Sequence, residues 1–246
     1  MNTFLKHLWV QFKLDIRERG TLMTYYLIPL GFYFLMGAVF SSINPSYKQT
    51  LTASMAIFAV TMGAVMGMPI PIVKMRESGV LRSYRISGIP GWAVLLIQSV
   101  SAFLHLLVVS IIIFITAPLL FGANNAENLP AYFLILFVLL FVSISIGLLI
   151  GVVAGSQPVA TMFSQALFLP TMMLSGIMFS GSMLPEPLKL LGRLIPATYI
   201  MQCFSGLAYN LSTDIQPIIA LLITVVIGVM AASITVVRFN KIQKSL

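Results

Sequence analysis

Apolar residues run almost unbroken over six stretches of the chain, 22–41, 51–73, 92–121, 129–153, 158–180 and 215–238, and polar residues gather between them. About 20 mainly apolar residues carry a helix across a hydrocarbon core of roughly 30 Å, and each stretch has that reach. The pattern predicts an all-α membrane protein with six transmembrane helices, folded as one transmembrane domain over 1–246 with no soluble domain at either end. The third stretch is long enough to tilt or to finish in a short extra turn near Pro118. The first is about twice as long as a signal-peptide core and no A-x-A-like site follows it, so it is expected to be an anchor. Between the fifth and sixth stretches, 181–214 is too apolar for an ordinary loop.

Composition supports lipid as the solvent. Only 8% of residues are charged and mean hydropathy is +1.02, whereas a soluble domain carries roughly a quarter of its residues charged. The cations also orient the chain, because short cytoplasmic loops collect Lys and Arg. Lys6, Lys13, Arg17 and Arg19 precede the first span, Lys74, Arg76, Arg82 and Arg85 join the second to the third, and Arg238, Lys241 and Lys244 follow the last. An even number of spans puts these eleven on one face and leaves Lys48, Lys189 and Arg193 on the other. Both termini and the 74–90 segment are therefore expected in the cytoplasm. The cations form no single basic face, so no nucleic acid is expected as a partner.

The first 20 residues show a helical period. Phe4, Leu5, Leu8, Trp9, Phe12 and Ile16 share an arc of roughly 140°, with Lys6, Lys13 and Arg17 on another side. A helix lying in the membrane interface fits this pattern, although Asp15 and Arg19 intrude on the apolar arc. Small residues mark close helix packing: Gly63 and Gly67 in the second span, and Gly147, Gly151 and Gly155 along the fourth. Pro29, Pro69, Pro71 and Pro170 are expected to kink their helices.

Little of this points to catalysis. The six acidic residues, Asp15, Glu18, Glu77, Glu127, Glu186 and Asp214, all lie outside the apolar stretches. No H-E-x-x-H, G-x-S-x-G or phosphate-binding G-K-S/T loop occurs, and the single Cys203 provides neither a disulfide nor a cysteine metal site. No catalytic residue, metal or cofactor of its own is expected. His105 is the one titratable side chain well inside a span. Such a residue is by default a functional candidate, but Gln98, Ser101 and Ser110 share its helix, and an imidazole bonded to one of them needs no function.

The stretch "MRESGVLRSYRISGIP", 75–90, is the sharpest feature. Gly79 and Gly88–Ile89–Pro90 bracket a helix-compatible 80–86, in which Val80, Leu81 and Tyr84 form an apolar stripe beside Arg82 and Arg85. Two readings fit: a surface that docks into another protein, or an orientation signal that binds headgroups.

The longer "VKMRESGVLRSYRISGIPGWAVLLIQSV", 73–100, resembles the cytoplasmic connection of ABC-2 type transporter permeases, where an E-x-G-[TV]-L-type cassette leads into the third helix. A second stretch, "LSGIMFSGSMLPEPLKLLGRLIPATYIMQCFSGL" over 174–207, is similar to that family's S-G element followed by an L-P turn and a P-x-[ST]-Y element. The matching positions are Leu174–Ser175–Gly176, Leu184–Pro185 and Pro196–Ala197–Thr198–Tyr199. Many members carry a proline near the first of these, where Phe179–Ser180–Gly181 stands here.

The resemblance implies that 74–90 is a coupling helix seated in a separate cytoplasmic ATP-binding subunit, through Glu77, Gly79, Leu81, Arg82, Tyr84 and Arg85. It implies a re-entrant outer hairpin over 181–214, gated by Ser175, Gly176, Pro185, Pro196 and Tyr199, with Pro187 adding a turn and Lys189 and Arg193 reaching headgroups. It further implies ATP and Mg on the partner, a second copy or a related permease, contact with membrane lipids, a cell (inner) membrane location, and export of an amphipathic or lipid-like substrate such as a drug, lipid or hydrophobic peptide. A secondary carrier or channel acting without an ATPase, and a membrane anchor that recruits a cytoplasmic partner, stand as alternatives.

Overall fold

The computed structural model describes residues 3–43, 45–179 and 183–245, and side chains over 8–42, 47–179 and 183–243. The expectations for Phe4, Leu5, Lys6, Lys244 and the Ser180–Gly181 turn lie outside the described side chains or residues. Among the described residues the structure is helical, without strands. In chain order the helices are α1 (Thr3–Arg17), α2 (Arg19–Ser42) and α3 (Leu51–Glu77), α4 (Val80–Ile86), α5 (Gly91–Phe121), α6 (Leu129–Val153), α7 (Gln157–Leu174), α8 (Glu186–Gly192), α9 (Pro196–Cys203) and α10 (Pro217–Ser245).

Helices α2, α3, α5, α6 and α10 are long and apolar enough to cross a membrane. The fifth expected span is shorter than 158–180. Helix α7 holds 18 residues, about 27 Å at 1.5 Å per residue. It stops where Gly176 takes φ +87°, a left-handed turn that an α-helix cannot continue through. It nevertheless joins the two ends of the bundle. At one end Gln157 donates to Glu77 (2.7 Å), and at the other, just beyond α7, Met178 accepts from Tyr47 (3.1 Å).

Helix α3 is the centre: 78% of its apolar window is buried, against 22% for α2 and 28% for α10. Two of the expected proline kinks take a specific form. The backbone widens to i→i+5 turns over Met23–Leu27 and Met62–Gly67, just before Pro29 and Pro69, whose missing N–H groups free the carbonyls that precede them. These two wide turns pack on each other, because Gly63 and Gly67 leave room for the Tyr25 ring. Pro118, by contrast, lies inside α5, which runs on to Phe121.

The packing glycines divide. A Cβ on Gly147 would lie 2.2 Å from the Ala64 carbonyl oxygen, and one on Gly151 would lie 2.9 Å from Ile72 Cβ. One on Gly63 would meet Leu106 at 2.3 Å, and one on Gly67 the Tyr25 ring at 2.8 Å. Gly155 is a correction: it follows the end of α6 and nothing lies within 4 Å of its Cβ position.

Candidate functional site: the charged cassette and the two ends of the bundle

The cassette is built by two glycines. Gly79 (φ +74°) ends α3 and starts α4, and Gly88 (φ +73°) ends α4, so a seven-residue helix turns sharply on both sides. Left-handed backbone of this kind is adopted by glycine without steric cost. Helix α4 then presents two faces. Leu81 is 1% exposed and packs in the core, and half-buried Tyr84 packs against the same core. The outer face shows Val80 at 37% and Ile86 at 80% exposure, with Arg82 and Arg85 also exposed. The expectation that Leu81 meets a partner directly is thus corrected. Of the expected apolar stripe, Leu81 and Tyr84 face the bundle and Val80 faces outward.

Neighbouring elements hold α4 in place. Arg85 donates to the Gln243 carbonyl of α10 (3.1 Å), and Gln243 donates to the Ile89 carbonyl beyond α4 (3.0 Å). Glu77 is exposed and accepts from Gln157. Arg76 donates to the Val152 and Ala154 carbonyls. A cation on the last carbonyls of α6 both satisfies open acceptors and opposes the helix dipole. Sequence counting had registered Arg76 only as a loop charge.

At the opposite end lie two short helices, α8 and α9. Pro185 precedes α8, and Pro196 opens α9 at a position where its missing N–H costs nothing. Tyr199 Oη donates to the Arg193 carbonyl (2.7 Å) and Thr198 Oγ1 to the Gly192 carbonyl (2.6 Å). These bonds tie α9 to the end of α8. Ala197, Ile200, Met201 and Cys203 of α9 are buried, and Cys203 donates weakly to the Pro217 carbonyl (3.4 Å). Ser175 is buried, and Gly176 has Met201 3.5 Å from its Cβ position. Of the five residues expected to shape this end, Ser175 and Gly176 line one cavity, and Pro185, Pro196 and Tyr199 lie outside its lining. That cavity has a volume of about 560 Å³ and is lined also by Lys189, Arg193, Gln202 and Asp214.

A third constellation was not foreseen. Helix α1 lays the stripe Leu8, Gln11, Phe12 and Asp15 toward the bundle, while Trp9, Val10, Leu14 and Ile16 are exposed. Lys13 Nζ lies 5.3 Å from the centre of the Trp9 ring. Asp15, the intruder on the apolar arc, is 8% exposed. It accepts from Gln11 (2.8 Å) and from Ser101 of α5 (2.5 Å), and burial holds its carboxyl above the ordinary range against the lowering effect of those two bonds. His105 is bonded through Nδ1 to Tyr26 of α2 (2.7 Å), and its Nε2 lies 3.8 Å from Asp15 Oδ2. Phe12 stacks on the imidazole at 4.4 Å, with Tyr25 stacked at 5.6 Å. The expected imidazole bond to a helix neighbour is corrected: Ser101 bonds Asp15, and Ser110 bonds back to the Leu106 carbonyl. The one signal in the sequence was an acid at i, i+3, i+4, i+7 register with apolar residues.

Comparison with known families decides the membership. Residues 4–209 match the family described as ABC-2 type transporter. The chain belongs to that family. It is thus a permease component of an ABC transporter and a multi-pass membrane protein, and membership implies association with an ATP-binding subunit. The match takes in α1, the cassette and the α8–α9 pair, so all three constellations are parts of the ABC-2 unit. No curated protein matches the chain.

Proposed function

We propose that this ABC-2 chain is the membrane subunit of an exporter, driven by a separate ATP-binding subunit that docks on α4. The supporting observation is the two-faced cassette: a short helix anchored inward by Leu81, which leaves Ile86, Val80, Arg82 and Arg85 outward. An apolar pair ringed by cations gives a partner both area to bury and charge to match. Leu81 and Tyr84 then carry motion of the partner into α3 and α5.

Six membrane crossings, with α7 as the short one, put α1, the cassette and the end of α10 on the cytoplasmic face of a cell (inner) membrane. Helices α8 and α9 form the re-entrant outer pair. The cargo is an amphipathic or lipid-like molecule, released along an interface with a second permease, identical or related. ATP and Mg are bound by the partner, and only a difference in its contact between nucleotide states can drive the bundle.

Purification of the tagged chain from its native host, followed by identification of its companions, tests the reading. An ATP-binding subunit that accompanies the native chain and is lost with Ile86→Asp supports it. A native chain that carries no ATPase, and moves a fluorescent lipid analogue across vesicles without ATP, would refute it.

A further inference from the structure

We propose that Asp15 and His105 form a binding site for a single proton, and that occupancy of this site fastens α1 to α5. Five groups from three helices define it: Gln11 and Asp15 of α1, Tyr26 of α2, and Ser101 and His105 of α5. Two observations point to a missing proton. His105 Nε2 is buried without a hydrogen-bond partner, and the atom nearest in charge, Asp15 Oδ2, stands 3.8 Å away, beyond hydrogen-bond length. An ionised carboxylate in this position has no Lys or Arg in ion-pair range among the described residues. A buried charge so placed is costly, and taking up a proton relieves it.

The proton balance is simple. In the empty site Asp15 is a carboxylate and the neutral imidazole carries its hydrogen on Nδ1, which donates to Tyr26, so a bare Nε2 faces the carboxylate. One proton from water then enters. It rests either on Asp15, which donates to Nε2, or on the imidazole, which donates from Nε2 to the carboxylate. In both forms Nδ1–H still donates to Tyr26, so the added proton is the only change. The gap between Nε2 and Oδ2 closes, and α1 is tied to α5 by a direct bond as well as by Ser101. The other charged or titratable groups about the site are Glu18 at the α1–α2 break with Lys74 of α3 paired to it, and Tyr25 of α2. None of these is a cation in contact with Asp15. A cavity of about 190 Å³ on the cassette side, lined by Tyr84 and Gln98, reaches Gln11 of the site. This inference is independent of the exporter reading.

The test uses the full chain in lipid nanodiscs, with Cys203→Ser removing the native thiol and spin labels on Lys13→Cys and Leu96→Cys, both exposed positions. Pulsed electron-spin distances are read from about pH 5 to about pH 9. One narrow distance at low pH, giving way to a broader and longer population with the steepness of a single proton, is the expected result. Asp15→Asn, which can donate to Nε2 at every pH, should keep the narrow distance throughout. His105→Gln should abolish the transition or move it by at least about tenfold in proton concentration. An infrared difference spectrum of the unlabelled native chain should show one carboxyl or imidazole changing protonation over the same range, absent from Asp15→Asn. A native distance that does not respond to pH overturns the proposal, as does an Asp15→Asn chain that keeps the transition.

Discussion

Two short amphipathic helices, α1 and α4, meet the same end of the bundle and solve opposite problems. Helix α4 turns its apolar Leu81 inward and leaves Ile86 and two arginines in the open. Helix α1 turns an acid inward and leaves Trp9, Val10 and Leu14 outside. The exposed apolar residues of α1 suit the lipid interface. Those of α4, raised on a turn between two αL glycines and ringed by cations, suit a protein surface. An outward face says what a helix waits for, and an inward face says what holds it until then.

The comparison breaks most severely at the inward anchor of α4. Leu81→Ala removes a fully buried side chain and should lower stability by about 2–5 kcal/mol, read as a loss of melting temperature in detergent or nanodiscs. Overpacking the helix beneath it comes next. Gly147→Val forces side-chain atoms onto the Ala64 carbonyl and should cost about 1–3 kcal/mol or more, while Gly155→Val, in open space, should cost about 0.5 kcal/mol or less. The outward face behaves differently. Ile86→Asp should leave the melting temperature unchanged yet weaken capture of the ATP-binding subunit by at least about tenfold, near 1.4 kcal/mol.

The anchor of α1 should respond to pH. The folded carboxyl of Asp15 lies above its unfolded value of 3.8. Its contribution to stability is therefore complete below that value, and it is lost as pH rises through the folded value. The melting temperature of the native chain should fall over that interval, and that of Asp15→Asn should not. Small as well is the exposed Lys74–Glu18 pair at 3.4 Å, with side chains 65% and 52% exposed. Lys74→Ala should change stability by about 0.2–1 kcal/mol, less still in high salt.

The apolar runs made the helices legible, because lipid demands length and composition and little else. Helices α5 and α6 fall where hydropathy places them. Helix α7 was read too long, since apolarity continues past Leu174 while the backbone turns at Gly176. The cassette was legible as a segment, from its charge and its flanking glycines, but not in orientation. Which side of a seven-residue helix faces in depends on the φ of Gly79, a backbone choice that the stripe of Val80, Leu81 and Tyr84 does not specify. The Asp15–His105 site was hidden for a different reason. Its members lie 90 residues apart in the chain on three helices, and the acid stands outside every apolar stretch. Only the fold of α1 back across α5 brings it under cover.

Cysteine cross-linking at the two faces of α4 tests the central claim most directly. In membranes of the native host, a thiol-reactive cross-linker should join Ile86→Cys to an ATP-binding subunit, with a yield that changes when ATP is added, and should leave Leu81→Cys unlinked. Cross-links from neither position, or from both alike, would show that the outward face of α4 is not where the ATPase sits.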